Sequence, residues 1–347
     1  MAVENNTKIK VLVVDDSLFF RTAIANSLSS HPNLKVVGVA ASAFEARDKI
    51  NELNPDVMTL DVEMPQMNGI EFLKILMPQK PMPVVVVSAV NGIVFEAFKA
   101  GAVDFVVKPS SAKPDNMGGF YTDLASKILI AASAKLKTGK AEPALPAAPR
   151  ILGAIKNTSG LIALGASTGG TEATSTILKA LPATIPGMVV TQHMPPVFTK
   201  MYAQRLDKEC VLSVKEAENN DIVQPGHVYI APGDLQMEVV KKGSQMVIRC
   251  FAGEKVSGHC PSVDVLFNSV ASFANDHTVG IILTGMGSDG AKGLLAMRQK
   301  GAFTIGQDEK SCVVYGMPMV AYKVGAVAKQ VSLDRVADTL LDYLSKK

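Results

Sequence analysis

A serine, a histidine and an aspartate each stand where an apolar run of the sequence stops. Ser167 lies in G-A-S-T-G, residues 165–169, within "LIALGASTGG". Small residues around a serine between a strand and a helix permit a tight turn that pushes the hydroxyl outward. His193 closes the next apolar run, "GMVVTQH", and Asp289 falls in "ILTGMGSDG", just past a further one. A serine hydroxyl is a weak nucleophile that needs a base, and the base needs an acid to orient it. The strands of an open parallel sheet bring their carboxyl ends to one edge, so three such ends would deliver all three groups to one crevice. The chain order Ser…His…Asp differs from the α/β-hydrolase order, which argues against that family and not against acyl-transfer chemistry. Backbone N–H groups in "MGSDG" and at the start of the helix after Ser167 are natural donors to an oxyanion. Gly285, Gly287 and Gly290 would let that loop approach a substrate, and the glycines after Ser167 read as room for substrate and oxyanion.

The same turn has a competing reading as a dinucleotide phosphate cradle at a helix N-terminus. That reading demands G-x-G-x-x-G and an acidic residue roughly 20 positions on to hold a ribose. The glycine spacing fails, and the next run ends in Gln192 and His193. Among the other histidines, His31 lies in the first part of the chain, and His227 and His277 precede their strands. His259, beside Cys260 in a loop, could line the site.

A second cluster precedes this one. Asp15 and Asp16 end the first apolar run of the chain, Asp61 the third, Ser88 the fourth and Lys108 the fifth. Carboxylates gathered at one sheet edge repel one another unless a cation joins them, and carboxylate and carbonyl oxygens suit Mg²⁺. Lys108 could hold a phosphoryl oxygen. Asp61 is the candidate acceptor, since an aspartyl carboxylate can take a phosphoryl group.

These residues need parallel sheets to bring them together. Apolar runs alternate with amphipathic stretches such as "SLFFRTAIANSL" and "AFEARDKINEL", which predicts βαβ units and a five-stranded, doubly wound first domain. Its last helix is expected near residues 120–137. "KTGKAEPALPAAPR" has no periodicity and reads as a semi-rigid linker. A second α/β pattern then begins, with clear strands in "GLIALGAS", "GMVVTQH", "HVYIAPG", "TVGIILTG" and "AFTIGQD". "MEVVKKGSQMVIRC" reads as a hairpin insert turning near Lys242-Gly243. The expected division is 1–130, a linker over 131–156, and 157–347.

Composition excludes several classes. The 48% hydrophobic and 19% charged residues suit compact domains and argue against a largely disordered chain. A net charge of +3, with no basic stripe, gives no pull toward nucleic acid. No apolar run reaches the roughly 20 residues of a membrane span, and "MAVENNTKIK" has no signal-peptide core. Cys210, Cys250, Cys260 and Cys312 form no C-x-x-C pair and read as free thiols of a cytoplasmic protein.

"VVDDS", "LDVEMPQMNG", "VVSA" and "DFVVKPS" resemble the receiver domain of bacterial two-component response regulators. The resemblance implies a flavodoxin-like (βα)5 fold and phosphorylation of Asp61 by a histidine kinase. It further implies Mg²⁺ held by Asp16, Asp61 and the main-chain carbonyl of Glu63, with Asp15 nearby. Ser88 and Phe105 match the family's switch pair, in which the hydroxyl moves onto the phosphate and the ring turns inward.

"GASTGG", "QHMPPVFTKMYAQRLD", "PGHVYIAPGD", "PSVDVLF", "ILTGMGSDGAKGL" and "VVYGMPMVA" resemble the catalytic domain of the chemotaxis protein-glutamate methylesterases. That implies Ser167 as nucleophile, His193 as base and Asp289 as orienting acid. It puts Thr168 and Met286 at the active site, with Met286 and the neighbouring Gly287 near the oxyanion. It implies no cofactor in the esterase site, methyl-accepting chemoreceptors as substrates and the chemotaxis histidine kinase as phosphodonor, with neither nucleic acid nor membrane insertion. Three positions depart from the family: Thr171 stands where proline is common, Gln236 where histidine is frequent, and Cys260 where a basic residue is usual. Two other readings are a receiver-regulated esterase for a different ester and a non-catalytic module regulated by phosphorylation.

Overall fold

The structure, a computed structural model, describes residues 8–89, 91–109, 114–136 and 158–347. Two compact units, Met1–Ala144 and Leu145–Lys347, divide the chain inside the segment read as a linker; residues 137–156 of that segment lie outside the described residues.

In the first unit, strands β1 (Ile9–Val14), β2 (Leu34–Ala40), β3 (Val57–Asp61), β4 (Val84–Ser88) and β5 (Asp104–Val107) form a parallel sheet in the order β2-β1-β3-β4-β5. Helices α1 (Leu18–Ser29), α2 (Ala43–Leu53), α3 (Gly69–Gln79), α4 (Val94–Lys99) and α5 (Pro114–Ala132) connect the strands and close the unit. Every residue of β3 and β4 is buried, which is why they read as unbroken apolar runs. The helix starts are local chemistry: Asn68 accepts the N–H of Ile70 and Glu71 while Glu71 reaches back to Asn68, a capping box that fixes the start of α3. Helix α5 begins at Pro114, earlier than expected, and ends five residues sooner. Proline suits the first turn, whereas Gly118-Gly119 weakens the local helix signal.

The second unit is a seven-stranded parallel sheet: β6 (Leu161–Ala166), β7 (Gly187–Gln192), β8 (Ser213–Glu216), β9 (His227–Ile230), β12 (Thr278–Ile282), β13 (Phe303–Gln307) and β14 (Lys329–Val331). Their order is β14-β13-β12-β6-β7-β9-β8. From β6 the chain winds outward through β7 and later returns to β12 on its other side. That reversal opens a crevice outside the carboxyl ends of β6 and β12. Helices α6 (Gly170–Lys179), α7 (Phe198–Glu209), α8 (Val263–Ala271), α9 (Ala291–Gln299), α10 (Met317–Lys323) and α11 (Leu333–Leu344) cover the sheet. The hairpin is β10 (Gln236–Lys242) with β11 (Gln245–Phe251), turning through Gly243-Ser244 with Gly243 at φ +62°. Its Met237, Val239 and Ile248 share one buried core with Leu266, Phe267 and Val270 of α8. Strands β8 and β14 had no counterpart in the sequence reading. Both are edge strands with half-exposed polar sequences, SVKE and KQV, so the burial that makes a strand legible is missing. All four cysteines are free.

Candidate functional site

Ser167 is the first residue beyond β6. Its N–H donates to the Thr284 carbonyl (3.0 Å), and its carbonyl accepts from Gly170 N–H (2.7 Å) and Gln192 Nε2 (2.9 Å). Gly169 then takes φ +77° to start α6. A Cβ there would lie 2.7 Å from Val313 Cβ, and one at Gly170 2.4 Å from Gln192 Oε1 and 2.6 Å from Ala166 Cβ. This corrects the expectation of open space after Ser167: these glycines make room for the protein's own side chains, which grip the turn.

Strand β7 pairs with β6 so that Ala166 faces Gln192, and Ser167 and His193 leave the sheet side by side. The His193 N–H donates to Ala166 O (3.1 Å). Asp289, beyond β12 and 1% exposed, meets His193 Nε2 at 2.8 Å through Oδ2. The carboxylate sits on the N-terminus of α8. It accepts the N–H groups of Val263 (2.8 Å) and Asp264 (2.9 Å), which no helical carbonyl can serve, and the Ser262 hydroxyl (2.8 Å). Burial alone would raise the Asp289 carboxyl; the His193 contact and the backbone donors outweigh it and hold the group below the ordinary carboxylate range. Asp264 in turn accepts Gly293 N–H (2.8 Å) in the first turn of α9, so each helix start is held by a carboxylate from beside the other's start.

With Nε2 bound to Asp289, His193 offers Nδ1 for proton transfer; that atom is buried and has no partner among the described residues. No hydrogen bond joins it to the Ser167 hydroxyl here, and such bonds commonly tighten only on substrate binding. His259 stacks on His193, ring centroids 3.7 Å apart and planes 6° from parallel, while its Nδ1 binds the Ser257 carbonyl (2.9 Å). Burial and the neighbouring His193 lower the His259 pKa to about 4, so it is neutral at neutral pH. Ligand atoms of His193, His259 and Asp289 lie within 4.8 Å of one another. The in-plane lone pairs of two parallel rings do not converge on one point, however, so the arrangement favours a stacked ring pair over a shared metal.

The loop after β12 approaches Ser167 closely. Gly285 N–H donates to Val314 O (3.0 Å), leaving the Met286 and Gly287 N–H groups without a partner among the described residues. Met286 is 46% exposed. A Cβ on Gly285 would stand 2.6 Å from Ser167 Cβ and 2.4 Å from Met317 Sδ. Gly285→Ala must therefore displace the serine or the loop. Ester turnover in the variant is expected to fall by on the order of 10²-fold with KM little changed, as steady-state hydrolysis would report.

In the first unit, Lys108 Nζ lies 2.5 Å from Asp61 Oδ2 and 2.8 Å from Asp15 Oδ2, and 5.0 Å from the centre of the Phe20 ring. Burial works against the Lys108 charge, but these two carboxylates more than offset it and raise its pKa; burial also pushes the Asp61 carboxyl up against the pull of Lys108. Carboxylate oxygens of Asp15, Asp16 and Asp61 lie within 4.8 Å of one another, with Asp16 facing solvent. Glu63 N–H donates to Asp61 Oδ1 (3.2 Å), and Arg21, unremarked in the sequence, ties the Asp15 and Asp16 carbonyls (2.6 and 3.1 Å). Ser88 is buried at the end of β4. Phe105, 4% exposed, already points inward, edge-on to Phe98 at 5.8 Å.

Residues 162–340 match the CheB methylesterase family and residues 11–115 the response regulator receiver domain. The chain is 53% identical to protein-glutamate methylesterase/protein-glutamine glutaminase 2 of Syntrophomonas wolfei, over 98% of both chains. It belongs to the CheB methylesterase family. It is also 47% identical to the protein-glutamate methylesterase/protein-glutamine glutaminase of Salmonella typhi, again over 98% of both. The crystal structure of the Thermotoga maritima CheB methylesterase catalytic domain superposes with a TM-score of 0.52 at 35% identity, over 53% of this chain and 97% of that one.

Within this CheB methylesterase, two of the three departures have a structural account. Gln236 is 1% exposed; its Nε2 donates to Glu254 O (2.9 Å) and His259 O (3.3 Å), and its Oε1 accepts Ser262 N–H (2.8 Å). It thereby gathers the loop that carries both His259 and Ser262. Thr171 is used through its carbonyl, which accepts the Tyr202 hydroxyl (2.9 Å) and which a proline would also offer. Nothing in the structure explains Cys260.

Proposed function

We propose that this chain is a phosphorylation-regulated serine esterase that hydrolyses γ-glutamyl methyl esters on the cytoplasmic helices of methyl-accepting chemoreceptors and deamidates some receptor glutamines. The observation that carries the reading is the His193–Asp289 pair at 2.8 Å, set at the strand end beside Ser167. Ser167 Oγ attacks the ester carbonyl while His193 Nδ1 takes its proton. Asp289 orients the ring and offsets the charge it acquires. The Met286 and Gly287 N–H groups face the oxyanion, and Thr168 lines the site. The proton passes to the departing methoxide, and methanol leaves. Water, activated by the same nitrogen, then frees the glutamate and restores Ser167. A glutamine side chain follows the same route with ammonia as leaving group.

Asp61 is the proposed phosphoryl acceptor, with the chemotaxis histidine kinase as donor. Lys108 holds a phosphoryl oxygen and Ser88 supplies the switch hydroxyl. The Asp15, Asp16 and Asp61 oxygens fit a small divalent cation, with the Glu63 carbonyl as a further ligand; Mg²⁺ bound there would neutralise phosphoryl charge. The free thiols fit a cytoplasmic protein, and among the described residues no helix is long and apolar enough to cross a membrane.

The reading is tested by methanol release from methylated receptor membranes, which the wild-type chain should catalyse. A receiver tethered to the catalytic unit acts at high effective concentration and can block it through a weak contact. Residues 150–347 alone are therefore expected to outpace the unphosphorylated full chain in that assay. A fragment that is equal or slower would refute inhibition by the receiver.

A further inference from the structure

The nucleophile turn and the oxyanion loop come from strands far apart in sequence, yet one buried residue touches both. Thr284, 1% exposed, ends the run beyond β12. Its carbonyl accepts the Ser167 N–H (3.0 Å). Its hydroxyl accepts the Val314 N–H (2.9 Å) and stands 3.0 Å from the Thr168 carbonyl and 3.2 Å from the Val314 carbonyl. A hydroxyl has a single proton to donate. The Thr168 carbonyl is the nearer of the two acceptors and takes that proton. Behind it, the Thr284 N–H is held by Gln307 Oε1 (2.8 Å), whose amide nitrogen donates to Ser311 O (2.9 Å). Thr284 is thus fixed from the sheet side. It faces Ser167 and Thr168 on one flank and the strap Val314–Gly285 on the other.

We propose that the Thr284 hydroxyl is a positioning group for the esterase reaction, holding the Ser167–Thr168 turn in register with the Gly285–Gly287 loop. The inference rests on the esterase reading above and adds a residue that touches neither substrate nor reacting atom. An oxyanion site works only if its donors stand where charge develops relative to the attacking oxygen. The Ser167 N–H to Thr284 carbonyl bond joins the segments at one point, and the hydroxyl adds a second tie, to Thr168 and Val314, that fixes the angle a single bond leaves free.

The test uses the full chain, phosphorylated at Asp61, in methanol release from methylated receptor membranes. Active sites are counted by titration with a serine-directed fluorophosphonate, so that misfolded protein drops out of the rate. Thr284→Val keeps the shape and removes the hydroxyl; Thr284→Ser keeps the hydroxyl. Per titrated site, Thr284→Val is expected to lose about 10- to 100-fold in kcat with KM within about threefold of wild type. Thr284→Ser is expected to stay within about threefold in both. Wild-type kcat in Thr284→Val, or an equal loss in Thr284→Ser, would overturn the inference while the wild-type rate leaves the esterase reading standing. A wild-type chain that neither releases methanol nor takes the probe would overturn both.

Discussion

Ser167→Ala is expected to lower kcat for methyl-ester hydrolysis by about 10⁶-fold, the scale seen when a nucleophilic serine is removed from a triad that acts as one unit. The reason is local. Ser167 leaves β6 with its own N–H, its carbonyl and the next two glycines all fixed by neighbours. Loss of a single oxygen therefore leaves the turn, the His193–Asp289 pair and the Met286–Gly287 donors in place. Receptor binding should persist with unchanged KM or dissociation constant, and melting should shift little. Steady-state methanol release and receptor co-sedimentation separate the two effects.

Asp289→Asn is expected to cost about 10⁴-fold in kcat, for a different reason. An asparagine amide facing His193 Nε2 donates where the carboxylate accepted. The ring proton then moves to Nδ1, the nitrogen that must receive the serine proton. The substitution also weakens the fold. The carboxylate accepts from Ser262 Oγ and from the Val263 and Asp264 N–H groups, and an amide has one oxygen for these donors. A buried donor left unpaired costs about 1–3 kcal/mol. The wild-type carboxyl titrates below the ordinary range when folded, so its contribution is fully present above the unfolded value of about 4 and fades as the pH falls through the lower folded value. Urea melts should show the stability gap between wild type and Asp289→Asn at pH 7 narrowing below pH about 4.

The proposed reacting groups were legible because chemistry and strand endings coincide. Ser167, His193 and Asp289 each follow a run whose residues are buried on both faces, Asp61 and Ser88 end such runs in the first unit, and Lys108 follows the shorter, partly buried β5. Apolar strands announce themselves in this way, even β5 on a sheet edge; the short, polar and half-exposed β8 and β14 do not. The residues that hold the reacting groups in place were not legible. Ser262, Gln236, Gln192 and Thr284 are ordinary polar residues whose side chains reach Asp289, Glu254, Ser167 and Thr168, 18 to 116 positions away along the chain. Only the fold assigns those partners. The glycines after Ser167 carried a real signal that was read with the wrong sign. Their missing side chains accommodate Val313 and Gln192, and a pattern of small residues alone does not say which neighbour fills the space. Gln236 looked like a departure from its relatives, and its two-ended amide proves to be a brace for the loop behind the base.

The central claim is that Ser167 is the acylated residue of an ester hydrolase. The most direct measurement treats the wild-type full chain with a fluorophosphonate, maps the adduct by peptide mass spectrometry and follows methanol release from methylated receptor membranes in the same samples. One adduct per chain, on the peptide containing Ser167, with release falling in proportion to labelling, is the predicted result. An adduct on a different residue, or full methanol release from protein labelled to completion, would contradict it.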